Sequence, residues 1–149
     1  MSDILDRFED FITGITVCYK SIQRIKSSEM EKFFSGMKGT HAMCIFFLSR
    51  NPQGLTSSQL AKKCSEDKSA ISRAVSLLQE KGFIMPTQKK YRDILHLTDE
   101  GKILAEKINS LIFSWVSSIG EGITEEEREI FYRVLARFTE NISEDKSRQ

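Results

Sequence analysis

The stretch at residues 55–97 restricts the possible folds more than any other part of the chain, because it carries the end signals of two short helices and a hairpin. Its first signal is a capping box. Thr56 can accept a hydrogen bond from the backbone N–H of Gln59, and the Gln59 side chain can bond back to the backbone N–H of Thr56. This pair predicts a short helix that begins at Ser57 and ends near Cys64.

A second helix is predicted over residues 68–81, directly after a short turn. Asp67 precedes it and suits the N-cap position, where a carboxylate accepts a backbone N–H and faces the positive end of the helix dipole. Gly82 suits the left-handed position just past the C-terminus, and Phe83 beside it can contact Leu78 to complete a Schellman motif. Both ends of this helix are therefore specified by local sequence.

The two sides of this second helix differ in chemistry. At about 100° per residue, the apolar residues share one side, namely Ile71, Ala74, Val75 and Leu78. The opposite side and the first turn carry hydroxyl and basic residues, namely Lys68, Ser69, Ser72, Arg73 and Ser76. Because the short serine side chains let a helix approach another surface closely and the basic residues can bond to it, we expect these five residues to contact a binding partner. Lys68 is equally well explained as a solvated lysine.

A small hairpin follows, with predicted strands at residues 84–87 and 93–97. Pro86 belongs on a sheet edge, because proline has no N–H to donate. The tip carries Lys89, Lys90 and Arg92 without an acidic residue, so we expect it to face an anion. Helix, turn, helix and basic hairpin in this order form a winged helix-turn-helix. In that motif the second helix enters the major groove and the hairpin touches the DNA backbone or minor groove.

The charge distribution favours nucleic acid as the partner. Residues 55–97 carry eight basic and four acidic residues, whereas the rest of the chain carries 14 basic and 17 acidic residues. A local basic surface on a nearly neutral protein is typical of nucleic-acid binding, and the lack of a basic amphipathic helix argues against membrane binding. The N-terminus lacks the features of a signal peptide and no long apolar run occurs, so we expect a cytoplasmic protein.

Long amphipathic helices are predicted on both sides of the winged domain. Apolar residues recur at helical spacing over 4–25, 104–119 and 131–142. These stripes are too broad for one winged domain to bury, which predicts a homodimer held by the outer helices. The expected fold class is mainly α, a winged helix-turn-helix with a small β-hairpin wing and long dimerisation helices at both termini. The expected domains are an N-terminal dimerisation helix and connection, the DNA-binding domain and C-terminal dimerisation helices, at 1–36, 37–98 and 99–149.

The order of these elements, together with two segments, resembles the MarR family of bacterial and archaeal transcriptional regulators. The segments are LTSSQLAKKCSEDKSAISRAVSLLQEKGFI and LHLTDEGKILAEKI, which begin at Leu55 and Leu95. The second contains the Leu-Thr-x-x-Gly with which the helix after the wing starts in that family. The resemblance covers nearly the whole chain. It implies a homodimeric regulator, more often a repressor than an activator, whose two winged domains bind a pseudo-palindromic site in double-stranded DNA.

The resemblance also implies regulation of DNA binding, since many members release DNA when a small phenolic or other lipophilic effector, or an oxidant, arrives. Tyr19, Met43, Phe47 and Trp115 are candidates to line an effector cavity between the winged domain and the dimerisation helices, and ordinary core packing explains the same residues. Cys18 lies on the apolar side of the first helix, where we expect it to be a buried packing residue. Oxidant sensing, which one branch of the family performs through an N-terminal cysteine, is its alternative.

The wing departs from the family pattern. Members usually carry Asp-x-Arg in the wing, and counting back from Leu97 places the aspartate position on Lys89 and the arginine position on Tyr91. Lys90 and Arg92, on either side of Tyr91, are the expected substitutes for the minor-groove contact.

Two functional alternatives stay open. A winged domain can serve as a protein-interaction subunit that binds no DNA, and the same fold can act as a thiol-based oxidant sensor. Nothing in the sequence predicts an enzyme or a cofactor, since it contains no catalytic triad, carboxylate pair or glycine-rich phosphate loop. The two histidines and three cysteines lack the spacing of a metal site or a disulfide framework.

Overall fold

The computed structural model describes residues 1–89 and 92–147, with the backbone alone at positions 88, 89 and 92. Within these residues the chain forms six α-helices, one 3-10 turn and an antiparallel hairpin. In chain order they are α1 (Ser2–Ser28), the 3-10 turn (Met30–Lys32), α2 (Gly39–Arg50), α3 (Ser57–Cys64), α4 (Lys68–Glu80), β1 (Ile84–Lys89), β2 (Arg92–Leu97), α5 (Asp99–Ile119) and α6 (Glu125–Ser147). The predicted fold class, mainly α with a winged helix-turn-helix and long terminal helices, is confirmed.

The chain divides into two compact units, Met1–Leu111 and Ile112–Gln149. The first unit holds the winged domain, and its hydrophobic core lies among α2, α3, α4, the hairpin and the first half of α5. Fully buried side chains from each of these elements fill this core, namely Ile45, Leu60, Ile71, Leu78, Leu95 and Ile108. The periodic apolar residues that predict α4 and α5 therefore contribute to the core that holds α4 in place.

The predicted starts of α3 and α4 are confirmed by hydrogen bonds. The Thr56 hydroxyl accepts from the Gln59 N–H at 3.2 Å, and Gln59 Oε1 accepts from the Thr56 N–H at 2.9 Å. This reciprocal pair satisfies two of the N–H groups that a helix start leaves without intrahelical partners. At the start of α4, Asp67 Oδ1 accepts from the Ala70 N–H at 2.7 Å. The turn between α3 and α4 is thus fixed from both sides.

The hairpin is longer than the sequence predicts. Antiparallel pairing continues to Lys89 opposite Arg92, into the segment that the basic side chains assign to the tip. Main-chain hydrogen bonds make this pairing, so the charge of the side chains does not stop it. Leu55 pairs with Leu95 on the other side of β2, which leaves β1 and its Pro86 at the edge of the sheet, as predicted.

The terminal helices expose their apolar stripes. Within the described chain, neither α1 nor α6 contains a buried residue. Large apolar side chains that are more than 40% exposed include Ile4, Leu5, Phe8, Ile12 and Ile15 on α1 and Phe131, Tyr132 and Ile142 on α6. Among the described residues, none of the helices combines the length and apolar character that a membrane span requires.

Candidate nucleic-acid interface

Helix α4 is fixed at its C-terminus by the predicted Schellman motif. The Gly82 N–H donates to the Gln79 carbonyl at 3.0 Å, and the Phe83 N–H donates to the Leu78 carbonyl at 2.9 Å. Gly82 adopts a left-handed φ of 81°, a conformation that glycine reaches without a steric penalty. With Asp67 capping its other end, α4 presents its side chains from a well-defined position.

The two sides of α4 are separated as predicted. The apolar side is buried and consists of Ile71, Ala74, Val75 and Leu78. The other side is exposed and consists of Lys68, Ser69, Ser72, Arg73 and Ser76. Among the described residues, none of these five side chains makes a hydrogen bond or an ion pair. The predicted α4 contacts therefore form one exposed row of basic and hydroxyl side chains that are available to bond another molecule.

The end of α4 is tied to the start of α5 by a close backbone contact. The Thr98 N–H donates to the Phe83 carbonyl at 3.1 Å. The Thr98 hydroxyl donates to the Gly82 carbonyl at 2.5 Å and accepts from the Gly101 N–H at 3.0 Å. A Cβ on Gly101 would lie 2.0 Å from the Phe83 carbonyl oxygen, so this approach requires glycine. The Leu-Thr-x-x-Gly segment is the sequence signal that points to this contact.

The predicted wing contacts are Lys89, Lys90 and Arg92. Lys90 lies outside the described residues, and so do the side chains of Lys89 and Arg92. The backbones at Lys89 and Arg92 are paired at the distal end of the described strands. A role for these three residues in DNA contact stays a prediction.

The predicted effector residues are spread over α1, α2 and the second unit. Tyr19 is exposed on α1, and Met43 and Phe47 are half-buried on α2. Trp115 is half-buried in the second unit. Among the cavities of the described first unit, one of about 440 Å³ lies beside the start of α2 and one of about 720 Å³ beside its end, and neither of these two is lined by these residues. An effector role for them stays a prediction.

Cys44 and Cys64 form a thiol pair that the sequence does not predict. Cys44 is buried in α2, Cys64 is half-buried at the end of α3, and their side chains share a hydrogen bond. This hydrogen bond, together with burial, raises the pKa of Cys44. The same hydrogen bond lowers the pKa of Cys64, an effect that burial opposes and Lys26 supports. Cys18 is exposed on α1 in the single chain, and both its packing role and its oxidant-sensing role stay predictions.

Metal ligands are not clustered in the part of the chain that the structure describes, since no group of three or more His, Cys, Asp or Glu residues there could hold an ion.

The half of the candidate site that the structure describes is a row of hydroxyl and basic side chains on a helix that is capped at both ends. Such a row can form hydrogen bonds and ion pairs with an anionic, hydrogen-bonding surface.

Comparisons with known proteins agree with this geometry. The sequence model of the MarR family matches residues 35–88. YetL of Bacillus subtilis strain 168, a transcriptional repressor of the helix-turn-helix type, is 27% identical over 120 residues, which cover 76% of this chain and 72% of that protein.

Two solved structures share the fold. A Listeria monocytogenes protein assigned to the MarR family of transcriptional regulators, crystallised with a 26mer DNA, has a TM-score of 0.79 and 23% identity, over 90% of this chain and 89% of its own. The transcriptional regulator SlyA has a TM-score of 0.75 and 23% identity, over 91% of this chain and 96% of its own.

Proposed function

The winged domain of this chain belongs to the MarR family, and on this premise we propose that the protein is a homodimeric, sequence-specific DNA-binding transcriptional regulator. We further propose that it is a repressor that a small-molecule effector releases from DNA. In this assignment residues 37–98 bind DNA, residues 1–36 and 99–149 dimerise, and the protein works in the cytoplasm.

The exposed face of α4 is the observation that carries the proposal. A capped helix with one side buried and the other free of internal partners is available to another molecule. The serine side chains on that face are short, so the helix can approach the base edges of a major groove closely. The Listeria relative with the same fold was crystallised with DNA, which supports DNA as the partner here.

Arg73 is proposed to read a base edge, because it is the only long donor in the middle of this face and arginine bonds guanine through two donors. Ser69, Ser72 and Ser76 are proposed to bond bases or phosphates beside it, and Lys68 in the first turn is proposed to contact phosphate. Lys89, Lys90 and Arg92 of the wing are proposed as further phosphate contacts, which add affinity without sequence information. The resulting site has separate groups for specificity and for affinity.

Dimerisation is proposed from the exposed stripes of the terminal helices. Phe8 is 55% exposed and Phe131 is 55% exposed in the single chain, so burying the exposed half of each side chain in a dimer would gain roughly 1 kcal/mol, about half the value for a fully exposed side chain. Monomeric proteins rarely leave such continuous apolar surface uncovered. A symmetric dimer would present two α4 helices, which matches a pseudo-palindromic DNA site.

The repressor assignment is supported by the curated relative, which is named as a transcriptional repressor. For the effector, the resemblance alone proposes Tyr19, Met43, Phe47 and Trp115 as contacts. The cavity beside the end of α2 offers a second location for an effector.

The test is a pair of Arg73 variants measured on DNA selected by the purified protein from random duplexes and on a scrambled duplex. Arg73→Ala should weaken binding to the selected site by about 1–3 kcal/mol per half-site and affect scrambled DNA much less. Arg73→Lys is the matched control, because it keeps the charge and loses the two-donor geometry. It should therefore lose discrimination while keeping most of its affinity for scrambled DNA.

A salt series separates DNA binding from protein docking. Affinity for DNA should fall steeply as the salt concentration rises. The logarithm of the binding constant should decrease linearly with the logarithm of the salt concentration, with a slope of about 0.9 for each phosphate neutralised. Equal losses on both duplexes for Arg73→Ala would remove Arg73 as the base-reading residue. A protein that selects no duplex from the random pool at low salt would defeat the proposed function and favour a winged domain that docks onto protein.

A further inference from the structure

The thiols of Cys44 and Cys64 meet where α2 packs against α3. Cys44 lies in the middle of α2 and is fully buried, and Cys64 is the last residue of α3 and is half-buried. Their side chains share a hydrogen bond. Ile45 beside Cys44 and Leu60 on α3 are fully buried as well. The packed core of the winged domain therefore holds the two sulfurs side by side, although they are far apart in the chain.

Two thiols in contact can hold a soft cation between them. Thiolate sulfur is the ligand in proteins that soft ions such as Cu(I) prefer. A bond from sulfur to zinc is about 2.3 Å long, so two bonds of that length in line span about 4.6 Å. A cation can therefore replace the proton that Cys44 and Cys64 share after a small outward movement of either side chain.

The surroundings of the pair favour a two-coordinate ion over zinc. A structural zinc site takes four ligands. In the described parts of the chain, no group of three or more His, Cys, Asp or Glu residues could hold an ion, so the pair lacks the further ligands that zinc requires. Two thiolates alone complete the coordination of a monovalent ion with a filled d shell, and Cu(I) is the biological ion of that class.

Two charged residues lie near the pair and act in opposite directions. The Lys26 ammonium favours the thiolate of Cys64, whereas the Glu66 carboxylate disfavours the thiolates of both cysteines. Both charged residues also line the cavity of about 440 Å³ beside the start of α2. An ion can therefore approach the half-buried Cys64 from the side of this cavity.

We propose that Cys44 and Cys64 bind one Cu(I) ion per chain in a two-sulfur site that joins α2 to α3. Each thiol releases its proton to solvent as its sulfur bonds the ion, so the complex of two thiolates and one monovalent ion carries one negative charge. Lys26 compensates this charge and Glu66 opposes it. The site goes beyond the proposed function and does not depend on DNA binding.

A competition titration tests the site and the class of ion. Full-length Cys18→Ser protein is used, because Cys18 is exposed and could bind copper by itself. The reduced protein, kept free of oxygen, should take one Cu(I) per chain from the coloured chelator bathocuproine disulfonate. Cys64→Ser or Cys44→Ala in the same background should weaken this binding by more than about 100-fold. Unchanged affinity in either variant overturns the site, and equally tight binding of zinc overturns the class of ion.

Two charge variants separate an electrostatic role from a packing role. Lys26→Met keeps the aliphatic stem that lies against Gly39 and should weaken Cu(I) binding roughly 2- to 5-fold at low salt. Glu66→Gln keeps the shape of the side chain and should tighten Cu(I) binding by a similar factor. General loss of packing would weaken binding in both variants. Changes in the same direction therefore overturn the assigned roles of Lys26 and Glu66.

Melting curves and X-ray absorption test the geometry. Because a ligand that prefers the folded state stabilises it, one equivalent of Cu(I) should raise the Tm of the Cys18→Ser protein and leave that of its Cys64→Ser variant unchanged. A lower Tm would show that the ion prefers the unfolded chain, which overturns a preformed site. The absorption spectrum should show two sulfur ligands, and nitrogen or oxygen ligands in its place would overturn the two-sulfur coordination.

Discussion

Replacing Gly101 with alanine tests the contact that joins α4, the hairpin and α5. The new Cβ would start 2.0 Å from the Phe83 carbonyl oxygen and 3.0 Å from its carbonyl carbon. Both atoms belong to the backbone, so no side-chain rotation can relieve the overlap. The first turn of α5 must therefore move away from Phe83 by more than ~1 Å to restore ordinary van der Waals distance.

The expected loss of stability follows from what that movement breaks. Overpacking of a well-packed contact costs about 1–3 kcal/mol. The hydrogen bonds from Thr98 to the carbonyls of Phe83 and Gly82 would weaken as well, each contributing about 0.5–1.5 kcal/mol. Alanine returns ~1 kcal/mol through its higher helix propensity. The net effect of Gly101→Ala should be a loss of roughly 3 kcal/mol, or about 6–12 °C in Tm for a chain of this size.

Thermal and urea unfolding at one fixed protein concentration measure this loss, because the stability of a dimer depends on concentration. Lys107→Ala is the control, since it adds alanine at an exposed position of the same helix and should change Tm little. A Gly101→Ala protein that melts with the wild type would refute the close approach of α5 to Phe83. The glycine of the Leu-Thr-x-x-Gly segment would then have no steric explanation.

Three further outcomes are expected. Phe8→Asp should convert the dimer to monomer in sedimentation, whereas Arg24→Asp, at an exposed position on the opposite side of α1, should leave a dimer. A dimeric Phe8→Asp protein would contradict the proposed interface. Burial and a nearby lysine lower the pKa of His41, so the unfolded chain binds protons more readily, and the unfolding free energy should fall as pH drops below the ordinary histidine pKa. His41→Gln, which keeps a side-chain acceptor at the start of α2, should flatten that pH dependence in denaturant titrations. Because its pKa is lowered, Cys64 should be alkylated by iodoacetamide ahead of Cys44 at neutral pH, and Cys44→Ala should slow Cys64 labelling, as followed by peptide mass spectrometry.

The winged domain could be predicted from sequence because its boundaries are set by neighbours in the chain. Thr56 and Gln59 are three residues apart, and so are Asp67 and Ala70, so one turn of helix contains each complete signal. The buried and exposed sides of α4 follow from the helical repeat in the same way. A signal contained in one or a few helical turns does not depend on which other elements the helix packs against.

Contacts between distant parts of the chain are harder to predict from the sequence. Met30 and Met37 are buried in the connection between α1 and α2, yet that connection has no apolar period to predict it. The Cys44 and Cys64 pair joins two helices, and no rule of spacing links them. The hairpin pairs beyond its predicted ends because pairing depends on backbone groups, which composition does not report.

The hairpin is the element that joins the DNA face to the cavity beside the end of α2. Its first strand begins directly after Phe83, whose carbonyl accepts from Thr98 and lies against Gly101, so its base is held by α4 and α5 together. Further along the same strand, Met85 and Thr87 line the cavity. A molecule in this cavity would therefore contact the strand that leads into the wing, close to the base that α4 and α5 hold.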